Sequence, residues 1–208
     1  NPIEQRRAEQ LAEGALINDA IRHHRLAQQL RLEAIQQRSA QRLDEALREY
    51  ALAAEAYRAY LQNYPNSPNA YELRYNLADA LIWSEQYEEA ASVYATVRDS
   101  NLDDRYLSES ARRVVESLHR IVEQATERGE ITIRNSREDI PQPTGTPPRV
   151  QPTEMPLLVQ RLAQAREVYV GRVPGEPDPE RVRAADHYKN ALLRYYYRSR
   201  ARAPRRFL

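Results

Sequence analysis

The stretch from Tyr60 to Leu81, YLQNYPNSPNAYELRYNLADAL, contains a helix stop, a turn and a helix start in close succession. Pro65 lacks the N–H that a continuing helix needs, so the apolar run before it ends there. Ser67 is a residue type that caps a helix, and Pro68 suits a first helical position. Beyond them Leu73, Leu77, Ala78, Leu81 and Ile82 recur at helical spacing, which predicts a helix over residues 68 to 83.

The same period extends outward on both sides. Upstream, Tyr50, Ala53, Ala54, Tyr57 and Leu61 share one helical face. Downstream, a short turn at Ser84-Glu85-Gln86 leads to a helix carrying Tyr87, Ala90, Ala91, Tyr94 and Val97. Asp99 to Asp104 reads as a loop and cap, and an amphipathic helix follows over about 105 to 127. Residues 4 to 63 hold one glycine and no proline among strong helix formers. Leu11, Ala15, Ile21, Leu30, Ile35, Leu43 and Leu47 are their apolar positions. A break is expected near Gln37 to Gln41, with Ser39 as cap; one continuous helix or a coiled coil is the alternative. Residues 128 to 156 concentrate six prolines and read as a linker, with a short β-like run at Ile131 to Ile133. Helix resumes after Pro156, and Asp178-Pro179 opens a last helix to about residue 200. The expected fold is all-α, with domains at 1–127, 128–156 (the linker) and 157–208.

Composition narrows the chemistry. Among 208 residues there are five glycines and no cysteine, which excludes disulfides, thiolate catalysis and Cys-ligated zinc. No apolar run approaches the roughly 20 residues that span a bilayer. All basic side chains except Lys189 are arginines, a skew that fits a GC-rich coding genome. The chain opens Asn1-Pro2-Ile3 without an initiator Met and is expected to be processed or a piece of something longer.

Shifting the chain by 37 residues superposes Tyr50 on Tyr87, Ala53 on Ala90, Ala54 on Ala91 and Tyr57 on Tyr94. A repeat of this length signals stacked helical units, none able to bury its apolar face alone. A small residue sits where two helices approach, and an aromatic four positions on fills the widening gap. These residues resemble the tetratricopeptide repeat family. Leu77-Ala78 matches its helix A; Tyr87, Ala90 and Tyr94, and Tyr50, Ala53 and Tyr57, match its helix B; Pro65 matches the closing proline. Glu85 stands where the family's turn glycine is common. The longer unit looks like the extracytoplasmic bacterial branch, and the resemblance covers about residues 42 to 126. It implies a right-handed superhelix that binds a protein or peptide along its helix-A side, and a periplasmic or envelope location in a Gram-negative bacterium. On helix 68–83 the residues expected to face such a partner are Glu72, Arg74, Tyr75, Asn76 and Asp79. A restart near the C-terminus would use Ala191 as the small residue.

Catalytic and metal motifs are thin. His23 and His24 are adjacent and lack the i, i+4 spacing of a chelating pair, and surface or groove histidines are the plain alternative. Asp99, Asp103 and Asp104 lack the glycine and terminal glutamate of a calcium loop and are expected to cap the next helix. No phosphate loop or nucleophile motif is present, and no enzyme activity or cofactor is expected. From Arg181 onward nine basic side chains face the single acid Asp186, so the first 180 residues carry the balancing negative charge. Arg194, Arg198, Arg200, Arg202, Arg205 and Arg206, interleaved with Tyr195-Tyr196-Tyr197, form a basic surface open to nucleic acid or anionic lipid. The plainer reading, an exposed repeat helix in an arginine-biased chain, is adopted, with a protein interaction scaffold as the expected function. Self-assembly as a spacer through the long N-terminal helix is the remaining alternative.

Overall fold

The first two helices meet through alanine. In the computed structural model, α1 (Pro2–Gln37) and α2 (Ala40–Asn63) form a hairpin. Its antiparallel register is visible in three contacts: Glu33 with Arg42, His24 with Tyr57, and Glu13 with Tyr60. α1 buries Ala20, Ala27 and Ala34, seven residues apart, with His24 and Leu30 between them. α2 answers with Ala46, Tyr50, Ala53, Ala54, Tyr57 and Tyr60, so tyrosine rings fill what small residues leave open. The leucine pattern read from the sequence misplaces this seam. Leu11, Ile35 and Leu43 are exposed, because a close helix approach selects small side chains over large ones. The expected break is present, with Ser39 Oγ accepting from the Arg42 N–H at 3.3 Å.

α3 (Ala70–Trp83) and α4 (Tyr87–Arg98) make the next hairpin, and α3 also packs against α2. α3 starts two residues later than expected, with Asn69 at its cap position and no side-chain cap bond. Ser67 Oγ accepts from the Asn69 N–H at 3.3 Å, but Ser67 stands three residues ahead of α3 and its hydroxyl is shared with a side-chain cluster. The Tyr60 hydroxyl lies 2.7 Å from both Ser67 Oγ and the Glu13 carboxylate, and Ser67 Oγ lies 3.1 Å from that carboxylate. Pro68 therefore belongs to the turn, as Pro65 does.

α5 (Leu107–Glu127) follows a loop in which Asp103 accepts from the Arg105 N–H at 2.7 Å, while Asp99 pairs with Arg98. α6 is Leu157–Arg172. The structure describes residues 1–133 and 154–172, with Asp186, Lys189, Asn190, Ala191, Leu193 and Tyr197, and all regular structure among them is helical. Ile131 to Ile133 form no strand there. Ala191 is exposed, and Asp186, Asn190, Leu193 and Tyr197 are buried. Arg194, Arg198, Arg200, Arg202, Arg205 and Arg206 lie outside the described residues, as do 134–153 of the proline-rich stretch. Two compact units, Asn1–Ser117 and Leu118–Leu208, divide within α5, whereas composition places the change at residue 128.

Three helices end with a left-handed residue and a bond from the next N–H to the carbonyl five residues back, with different residues at the left-handed position. After α3, the N–H groups of Gln86 and Glu85 bond back to Leu81 and Ile82, with Glu85 at φ 63°. After α1 the left-handed residue is Arg38 (φ 49°), and after α5 it is Gly129 (φ 70°). Only the last is the residue this conformation favours. Glu85→Gly is expected to raise stability by roughly 0.5–1 kcal/mol, the relief of left-handed strain less the added chain entropy. Urea unfolding followed by Trp83 fluorescence checks it, and a destabilised variant would show that the Glu85 side chain contributes more than its backbone costs.

Candidate functional site

The five side chains expected on the partner-facing side of α3 have different fates. Glu72 is exposed and lies 3.7 Å from Arg105. Arg74 turns back to donate to the Pro65 carbonyl at 2.9 Å, tying α3 to the turn before it. Tyr75 stacks on Tyr106 at 4.0 Å and 10°, and meets Tyr94 edge-on at 5.9 Å. Burial, reinforced by the Glu109 and Asp79 carboxylates, pushes its hydroxyl up to about 12. Tyr75 is thus a packing residue that leaves little ring face for a ligand. Asn76 is half-buried.

Asp79 is the centre of a polar cluster. Its carboxylate lies 3.3 Å from His24 Nε2 and accepts from the Tyr94 hydroxyl at 3.4 Å. The other His24 nitrogen lies 3.2 Å from the Tyr57 hydroxyl. Tyr50 and Tyr57 both stand edge-on to the imidazole, at 5.6 and 5.8 Å. Burial and the Asp79 charge push the Tyr57 and Tyr94 hydroxyls well above their usual range, so both stay protonated. His24, 6% exposed, is a core residue and neither a surface nor a groove histidine. Its neighbour His23 meets Glu49 at 2.6 Å on the same hairpin. Among the described residues no three histidine or carboxylate side chains gather as a metal-ligand set.

The residues superposed by the 37-residue offset differ at one place. Ala53 and Ala90 are fully buried, as are Tyr57 and Tyr94, and Leu77 and Ala78 are buried on α3. Tyr50 is buried while Tyr87 is only half-buried, because α4 begins at Tyr87 and α2 begins ten residues before Tyr50. The helix-to-helix turns accordingly fall at residues 38–39 and 84–86, farther apart than the 37-residue offset.

Alongside the cluster lies an arrangement that the sequence reading missed. Trp83, at the end of α3, has the Arg31 guanidinium of α1 at 4.0 Å from its ring centre and that of Arg113 of α5 at 5.8 Å. Tyr50 stacks behind it at 6.3 Å. Arg113 is held by Glu109 at 2.7 Å and Glu116 at 3.1 Å. Arg31 Nε and the Tyr50 hydroxyl are buried and make no hydrogen bond of good geometry, although the guanidinium is close enough to draw the Tyr50 phenol down against the rise that burial causes. Trp83 and Arg113 remain partly exposed. A single tryptophan four residues after Asp79, on the same helical face, was the available signal.

Burial raises the Glu109 carboxyl, and hydrogen bonding and charge from Arg112 and Arg113 outweigh it, leaving the group below its ordinary 4.5. A depressed carboxyl contributes stability above the unfolded pKa and loses it as pH falls through the folded one. Glu109→Gln is therefore expected to flatten the acid branch of a stability profile below about pH 4.5. Unfolding midpoints from pH 7 to 3 check it; an unchanged acid branch would remove Glu109 from the account.

No family model, curated protein or solved structure matches this chain. The site must be read from its own geometry.

Proposed function

We propose that this chain is a non-catalytic protein interaction scaffold, its helix pairs stacked in the manner of tetratricopeptide repeats. The observation that carries the reading is the convergence of α1, α3 and α5 on Trp83, with a guanidinium from each neighbour against one indole. Tryptophan, tyrosine and arginine are the side chains that concentrate binding energy at interfaces. Arg31 and Trp83 stand on α1 and α3, helices fixed by packing against the tyrosine–alanine face of α2, so little ordering cost falls on that part of the scaffold. Arg31 carries no carboxylate partner among the described residues, which favours a partner segment that brings acidic side chains. Glu72 and Asn76, the two expected residues not absorbed into the core, belong to the same α3. A periplasmic or envelope location is part of the proposal and rests on the resemblance alone. No described helix is long and apolar enough to cross a membrane.

Selection of peptides from a displayed library on the intact chain tests the reading. Enriched peptides should be rich in Asp and Glu, change Trp83 fluorescence on binding, and bind Arg31→Gln at least about tenfold more weakly. Peptides without acidic enrichment, or with unchanged affinity for Arg31→Gln of native circular dichroism, would overturn it.

A further inference from the structure

The second unit contains a pocket of about 520 Å³ whose walls come from the end of α5, from α6 and from Leu193. Its size falls within the range of small-molecule sites. Val122, Ile133, Val159, Leu162 and Leu193 make its apolar lining.

The charged groups are unequally placed. Arg166 lines the pocket although it is only 5% exposed, and its Nε has no hydrogen-bond partner. Lys189 also lines it and is half exposed. Among the described residues the one carboxylate near both is Asp186, whose Oδ1 lies 3.6 Å from Arg166 Nε and 3.7 Å from Lys189 Nζ. One acid thus faces two cations and closes a short hydrogen bond to neither. At the rim, Glu123 already faces Arg120 at 3.1 Å and His119 at 3.5 Å, and Glu127 is exposed to solvent. Burial draws the Arg166 guanidinium below its usual range despite the pull of Asp186, a sign that its charge is undercompensated. His119 is likewise lowered, by burial first and then, against Glu123, by Arg166 and Lys189.

We propose that this pocket binds a small aliphatic carboxylic acid, its carboxylate held by Arg166 and Lys189 and its chain against the Val122–Val159–Leu162–Leu193 wall. The carboxylate would supply the acceptor that the buried guanidinium lacks. Thr126 also lines the pocket, but its hydroxyl already donates to the Val122 carbonyl at 2.8 Å, and His119, Glu123 and Glu127 stand at the rim; the wall between them is apolar and suits a simple hydrocarbon body.

Titration of the intact, methyl-labelled chain with octanoate and with its neutral counterpart 1-octanol, followed by NMR, tests the proposal. Octanoate should shift the methyl signals of Val159, Leu162 and Leu193 saturably, and 1-octanol should bind about tenfold more weakly or worse. Lys189→Gln, at a half-exposed position, should weaken octanoate several-fold and leave 1-octanol unchanged. Arg166→Met should remove most of the preference for the acid; if that variant does not fold, the wild-type ligand pair and Lys189→Gln decide. Absence of saturable binding, equal affinity for acid and alcohol, or shifts confined to the first unit would overturn the proposal.

Discussion

Tyr94→Ala is expected to lower the unfolding free energy of the first unit by about 3–5 kcal/mol, the range for deleting a buried aromatic ring. Tyr94 is fully buried, stands edge-on to Tyr75 at 5.9 Å and donates to Asp79 at 3.4 Å. Truncation removes the ring and also takes a donor from a carboxylate that has His24 as its other neighbour. The two losses separate through Tyr94→Phe, which keeps the packing. That variant should cost about 0.5–1.5 kcal/mol, nearer the lower figure because the bond is long. Urea unfolding monitored by Trp83, the chain's one tryptophan, reads both variants. A Tyr94→Ala loss below about 1 kcal/mol would mean that the ring does not pack as described.

Ala90→Leu should destabilise by about 1–3 kcal/mol, as should Ala53→Leu at the equivalent place one repeat earlier. Both alanines are fully buried, and each is followed four residues later by the tyrosine that fills the interhelical space. A leucine at either site must push helices apart or force an off-rotamer side chain. Ser92→Leu is the control: on the exposed side of α4 it should stay within about 0.5 kcal/mol of the parent. If Ala90→Leu behaved like Ser92→Leu, the small-then-aromatic spacing would have no packing role, and the repeat argument would lose its physical basis. Additivity between Ala53→Leu and Ala90→Leu would further show whether the two hairpins relax independently.

The helices were legible because period and punctuation agree. Pro65, Ser39 and the apolar spacing each act locally, so helix existence, type and most boundaries follow from short-range chemistry. What was not legible depends on neighbours far along the chain. α3 starts two residues later than expected, and the Ser67 hydroxyl before it is shared among Glu13, more than 50 residues upstream, Tyr60 and the Asn69 N–H. The α1 seam was misread because hydrophobicity favours leucine, whereas the close approach of α2 favours Ala20, Ala27 and Ala34. On α3 the residue types of the candidate face were right for binding, yet Arg74, Tyr75 and Asp79 found partners inside the protein. Spacing alone does not tell a side chain offered to a ligand from one spent on the next helix. Trp83 was missed for the converse reason: its meaning lies in Arg31 and Arg113, more than 80 positions apart in the chain and adjacent only once α1, α3 and α5 are assembled.

The most extensive helix packing of the first unit runs from α1 to α2, α2 to α3 and α3 to α4, with His24–Asp79 and Arg31–Trp83 as side-chain ties between α1 and α3. Under tension such a unit has no sheet to shear and no distant strand pair to hold it shut. Drawn from its ends it should lengthen by peeling off one hairpin after another at low force, and rewind in the reverse order when released.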